Sequence, residues 1–161
     1  MKSRFITGLW IFGMVAGVLG LVSGAMQLAS LWSLRTQPEL VPLVQEAFVR
    51  FGLTLTPEQL EQLVLRNGIT ILVVSILTIG ISLALRRRAR WSRKAVISLI
   101  AILTVGMLAS LVRSEFAANP PLYWTGVALT VIAAFIHGGI ILKLRSPEIR
   151  AEFENKESVR T

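Results

Sequence analysis

Four apolar stretches of nearly equal length dominate the chain and decide what it can fold into. Trp10 to Trp32, Arg66 to Arg86, Trp91 to Arg113 and Trp124 to Lys143 are each separated by roughly 20 residues, which at ~1.5 Å per residue matches the ~30 Å hydrocarbon core of a bilayer. Runs such as 69–85 and 95–112 carry no ionisable side chain, whereas a buried helix of a soluble protein is usually shorter and keeps a polar face. The pattern predicts an all-α protein, a four-helix transmembrane bundle forming one domain over 1–145. Spans are expected at about 6–34, 67–85, 94–112 and 122–144, with an extracytoplasmic amphipathic helical cap over 37–66 and a short cytoplasmic tail over 146–161.

Charge gives this bundle a direction. The 161 residues hold 17 Lys and Arg against 9 acidic residues, a formal net charge of +8, but position matters more than the sum. Lys2 and Arg4 precede the first span, Arg86, Arg87, Arg88, Arg90, Arg93 and Lys94 fill the link between the second and third, and Lys143 and Arg145 end the fourth. On the opposite side Arg35, Arg50, Arg66 and Arg113 are diluted by Glu39, Glu46, Glu58, Glu61 and Glu115. By the positive-inside rule both termini and the Arg-rich link face the cytoplasm, as in a multi-pass protein of the bacterial inner membrane. The six basic residues of the link are then candidates to meet anionic lipid headgroups, at ~1 kcal/mol per residue near the surface. Nucleic acid is not the expected partner, since no series of aromatic residues interleaves with the basic run as a stacking platform needs. Lys2 and Arg4 before an apolar run also fit a signal peptide. The stretch, however, continues past Ser23-Gly24-Ala25 to Leu34, longer than a signal h-region, so the first span is expected to be retained.

Within the first span the small residues are ordered. Gly13, Gly17, Gly20 and Gly24 recur at steps of four, three and four, and Gln27 and Leu31 continue the stripe, so one face is nearly bare backbone. Such a face lets another helix approach closely, either a span of the same chain or another subunit, with Gln27 able to hydrogen-bond across it. The segment from Thr36 to Asn67 reads as two short helices. Pro38 opens the first, whose apolar face is Leu40, Val44, Ala47, Phe48 and Phe51 and whose stop is Gly52. Thr56-Pro57-Glu58-Gln59 opens the second with a capping hydroxyl, a first-turn Pro and a Gln at the third position. Asn67-Gly68 is a candidate joint before span two. Trp10 and Trp91 fit one membrane interface, and Tyr123 and Trp124 the other, after the stop at Asn119-Pro120-Pro121. Ser146-Pro147-Glu148 signals a last short helix with Ile149 and Phe153 on one face, expected to lie on the inner membrane surface.

The one ionisable residue well inside a span is His137, which makes it the default site candidate. Gly126, Thr130 and Ala133 share its face and Gly138 and Gly139 follow it. One reading is an imidazole hydrogen-bonded to a neighbouring Ser, Thr or carbonyl. Another starts from Ala133-Ala134-Phe135-Ile136-His137, which resembles the AxxxH pattern of bacterial antenna polypeptides; that resemblance implies a chlorophyll or haem ligated by His137. A second His for bis-histidine haem is absent. The chain has no Cys and no Asp, and no Glu falls in an expected span, so neither a nucleophilic triad, a carboxylate pair nor a metal cluster is expected, and no cofactor or enzyme activity is implied. Small four-span proton-coupled exporters rely on an intramembrane acid that is missing here.

As a whole, the helix start at Thr56-Pro57-Glu58-Gln59-Leu60, the basic link around Arg90-Trp91-Ser92-Arg93 and the ending from Leu144 through Ser146-Pro147-Glu148 to Phe153 resemble those of small four-span bacterial integral membrane proteins. The resemblance implies a topology and no activity. The expected role is a non-catalytic accessory or assembly subunit that packs with lipids, other membrane-protein subunits or itself; a transporter or channel component is the second class and a pigment- or haem-binding subunit the third.

Overall fold

The computed structural model describes residues 3–50, 53–112 and 120–154. Lys2, Phe51, Gly52, Arg113, Glu115, Asn119 and the tail from Asn155, all used in the sequence reading, lie outside them. The described residues form six helices and no strand: α1 (Arg4–Thr36), α2 (Leu40–Arg50), α3 (Pro57–Arg86), α4 (Arg90–Val112), α5 (Pro120–Arg145) and α6 (Pro147–Glu154). Among them α1, α3, α4 and α5 are long and apolar enough to cross a membrane.

The expected joint at Asn67-Gly68 is not there. α3 runs unbroken for 30 residues, about 45 Å at 1.5 Å per residue, so the second short helix of the expected cap is the upper part of a span-length helix. Its start is built as the sequence indicates: the Gln59 amide donates to Thr56 Oγ1 at 3.3 Å and the Thr56 amide donates to Gln59 Oε1 at 2.9 Å. This reciprocal capping box satisfies two amides that a helix start otherwise leaves open. Gly68, which read as a breaker, is instead a packing position: a Cβ there would lie 2.9 Å from Leu28 Cδ2.

The chain divides into two compact units. In one, comprising 13–79 of the described residues, α1 from residue 13 onward packs along α3, with Leu31, Leu34, Leu60 and Ser75 buried. Arg35 on α1 donates to Glu61 on α3 at 3.0 Å, an exposed pair worth less than about 1 kcal/mol. α2 belongs to this unit and buries none of its residues; Gln45 Nε2 holds the returning chain by donating to the Leu55 carbonyl at 2.6 Å.

The other unit gathers the start of α1, the end of α3, the whole of α4 and α6, and α5 from its second residue on. Ile6, Leu85, Val96, Leu144, Ile149 and Phe153 form its core. The expectation that Ile149 and Phe153 face the membrane surface is therefore corrected: each is 2% exposed and faces protein. Burying side chains of this size stabilises by roughly 1.5–3 kcal/mol each, enough to hold a helix of only 8 residues that would not persist alone.

Candidate functional site

Gly17, Gly20 and Gly24 are brought against α3. A Cβ on Gly17 would lie 2.5 Å from Ile79 Cγ1 and 3.2 Å from the Ser75 carbonyl oxygen; one on Gly24 would lie 2.8 Å from Leu72 Cγ and 3.2 Å from the Gly68 carbonyl oxygen. One on Gly20 would overlap Ser75 Oγ. The Ser75 hydroxyl is buried and donates back to Ile71 O at 2.6 Å, so it cannot swing away without giving up that bond. This is close backbone packing of the kind small residues permit in lipid, and the partner is the chain's own α3. Gly13 is half-buried. Gln27 packs beside Gly68, with its Cβ 3.5 Å from the site of a Gly68 Cβ, but its buried carbonyl oxygen has no hydrogen-bond partner; the bond expected across the helices is not made through that atom.

Other glycines are open. Added Cβ atoms on Gly8, Gly80, Gly106, Gly138 or Gly139 meet nothing within 4 Å. Around Gly138 and Gly139 the large side chains stand out: Phe135 is 78% and Leu142 72% exposed. α4 and α5 thus keep small-residue notches between apolar ridges that no described part of the chain fills.

The basic link is partly neutralised from within. α3 ends in a Schellman turn, with Ala89 N bonded to Ala84 O at 3.0 Å and Arg88 N to Leu85 O at 2.9 Å. The left-handed residue of that turn, usually Gly, is Arg88 at φ 53°, a conformation costing a non-glycine residue roughly 1–2 kcal/mol. Its guanidinium pairs with Glu152 of α6, both side chains largely shielded, and Glu152 also accepts the Ser3 amide at 3.4 Å. Arg93 donates to the Leu144 carbonyl at 3.3 Å and Arg90 to the Glu154 carbonyl at 3.5 Å. Arg86 lies over the Trp10 ring, 5.2 Å from its centroid, a cation–π contact. Arg87 and Lys94 are exposed.

Between the start of α4 and α6 these residues leave a cleft of about 510 Å³ lined by Arg90, Arg93, Lys94, Arg150, Phe153 and Glu154. Four cations against one carboxylate make it attractive to anions. Glu154 is held below the usual carboxylate range, chiefly by the bond that Arg150 donates to it at 2.7 Å, with the charges of Arg150, Arg93 and Arg90 acting in the same direction.

His137 finds its partner on the neighbouring helix. Its Nδ1 is 2.7 Å from Thr104 Oγ1, and the Thr104 hydroxyl spends its single proton on Ile100 O at 2.8 Å. The oxygen is then the acceptor and Nδ1 the donor, so a neutral imidazole carries its free lone pair on Nε2. That tautomer is the one a ligating histidine uses when its other nitrogen is anchored by an outer partner. Among the described residues no group of three or more His, Cys, Asp or Glu could hold a metal ion.

Neither Glu152 as the counter-ion of Arg88 nor Thr104 as the partner of His137 was legible in the sequence. The three Glu of 148–154 opposite a basic link signal some pairing, but which Glu meets which Arg depends on where α6 docks, and Thr104 is one of several hydroxyls that could have faced His137. No protein-family model, no curated protein and no solved structure matches the chain.

Proposed function

We propose that the protein is a non-catalytic accessory or assembly subunit of a larger membrane-protein complex: a four-span bundle in the bacterial inner membrane with both ends cytoplasmic. The topology is supported by the basic residues Arg4, Arg86, Arg87, Arg88, Arg90, Arg93, Lys94, Lys143 and Arg145, which stand on the helix ends that the shared core of Ile6, Leu85, Val96 and Leu144 brings together, the distribution expected of a cytoplasmic face. On this reading α2 and the first turns of α3 lie on the other side of the membrane as an amphipathic cap, and the α4–α6 cleft meets anionic lipid headgroups.

The observation that carries the subunit reading is the unfilled notch at Gly138 and Gly139, bounded by exposed Phe135 and Leu142. Helices associate in lipid through such small-residue surfaces, and the α1 face that first suggested association is used up by α3. The partner helix is therefore expected on α5. The test is mild-detergent purification from the native membrane followed by mass spectrometry, with wild type and Gly139→Leu compared. Loss of a co-purifying subunit in the variant supports the proposal; an unchanged set of proteins, or none in the wild type, sinks it.

A second reading rests on the Nδ1–H···Oγ1 bond between His137 and Thr104, which leaves Nε2 available to ligate a chlorophyll or haem. A visible absorption band lost on His137→Ala supports it, and a colourless wild-type protein from the native membrane rules it out.

A further inference from the structure

A groove of about 380 Å³ runs along the first two turns of α1 beside α5, walled by Phe5, Phe12, Ile136 and Ile140, with Gly8 in its floor and Arg4 at its end. We infer that it is a binding site for one anionic phospholipid, an acyl chain lying over Gly8 and the phosphate held by Arg4. This site lies apart from the α4–α6 cleft and needs no protein partner.

The lining points to the occupant. The groove's walls are apolar where a hydrocarbon would lie. The missing side chain at Gly8 gives it depth, since a Cβ there meets nothing within 4 Å and the glycine is not needed for packing within the chain.

Charge fixes the orientation and the lipid class. Arg4 is the first residue of a helix long and apolar enough to cross a membrane, so it stands where the apolar run begins, at headgroup level. No described side chain pairs with it. Lys143 lies one turn beyond Ile140 on the same face of α5, towards the Arg145 end of that helix, and is held by Glu148 only at 3.6 Å with half its side chain exposed. A phosphate beside Arg4 thus meets a cation that no described side chain engages, whereas a zwitterionic headgroup brings its own cation into competition.

The full-length protein in mild detergent, given dioleoyl phosphatidylglycerol or dioleoyl phosphatidylcholine and weighed intact by native mass spectrometry, tests the site. The wild type should retain phosphatidylglycerol over phosphatidylcholine. Arg4→Gln should lower phosphatidylglycerol retention roughly fivefold, the effect of about one basic residue at the surface, while Arg4→Lys keeps most of it. Gly8→Leu should lower retention of both lipids, and Gly106→Leu, at an open glycine elsewhere, of neither. Glycerol 3-phosphate, the head without chains, should not compete; competition by it would reassign the site to a soluble phosphate compound. Equal phosphatidylglycerol retention in wild type and Arg4→Gln, or an inert Gly8→Leu, would overturn the inference, whatever the outcome of the Gly139→Leu co-purification.

Discussion

Gly20 on α1 and Gly139 on α5 both sit within long apolar helices, yet a methyl group added to the first overlaps the Ser75 hydroxyl, whereas one added to the second meets nothing within 4 Å. The first kind of glycine is structural: it lets two backbones of one chain come together. The second is a vacancy on a surface. Small residues in a membrane helix thus mark where close approach is possible, not who approaches, and the two cases separate only when the neighbouring helix is known.

The separation between filled and open surfaces can be broken by substitution. Phe153→Ala should have the largest effect on stability, about 3–5 kcal/mol, because the ring is buried in a core that includes both Ile6 and Leu144; thermal unfolding in detergent measures it, and a near-wild-type midpoint would return α6 to the membrane surface. Gly20→Leu should cost about 1–3 kcal/mol or more by overpacking against α3, while Gly139→Leu leaves the midpoint unchanged. If the two variants melt alike, the distinction fails. Arg88 gives a finer comparison. Arg88→Ala loses the Glu152 pair and keeps the left-handed strain, whereas Arg88→Gly loses the pair and relieves the strain, so the glycine variant should be the more stable by about 1 kcal/mol.

Gln27→Leu should raise the unfolding midpoint, since it removes a buried carbonyl oxygen without a partner, a change worth about 1 kcal/mol. The smallest effect concerns Glu154. Its lowered pKa means that its interaction with Arg150 is complete at neutral pH and is lost only as pH falls through that lowered value. Arg150→Gln should move the carboxyl midpoint, followed by NMR of the labelled side chain, back up towards the ordinary glutamate range.

How far the sequence could be read follows from the range of each signal. The four long helices were legible because apolar length is a local property, and so was the capping box, whose partners Thr56 and Gln59 are three residues apart. The continuity of α3 was not. Asn67-Gly68 carries the local signature of a break, but Leu28 packs against Gly68 from another helix, and tertiary contact overrides propensity. The periodicity of Ile149 and Phe153 correctly marked an apolar face, yet a lipid surface and a protein core ask for the same side chains. At the candidate site His137 stood out by its cost in an apolar span; Thr104 did not, because the register between two helices is written in neither of them alone.

The Ser3 amide and the Glu152 carboxylate meet across 149 positions of sequence, and Ile6 shares a core with Phe153. Synthesis proceeds from the N-terminus, so every long helix must leave the ribosome before this core can close. Until α6 emerges, Ile6, Leu85, Val96 and Leu144 form an unsealed apolar surface and Arg88 has no counter-ion on Glu152. α6 is thus the piece that seals this core: a chain arrested before residue 149 holds all four long helices and still leaves that apolar surface open.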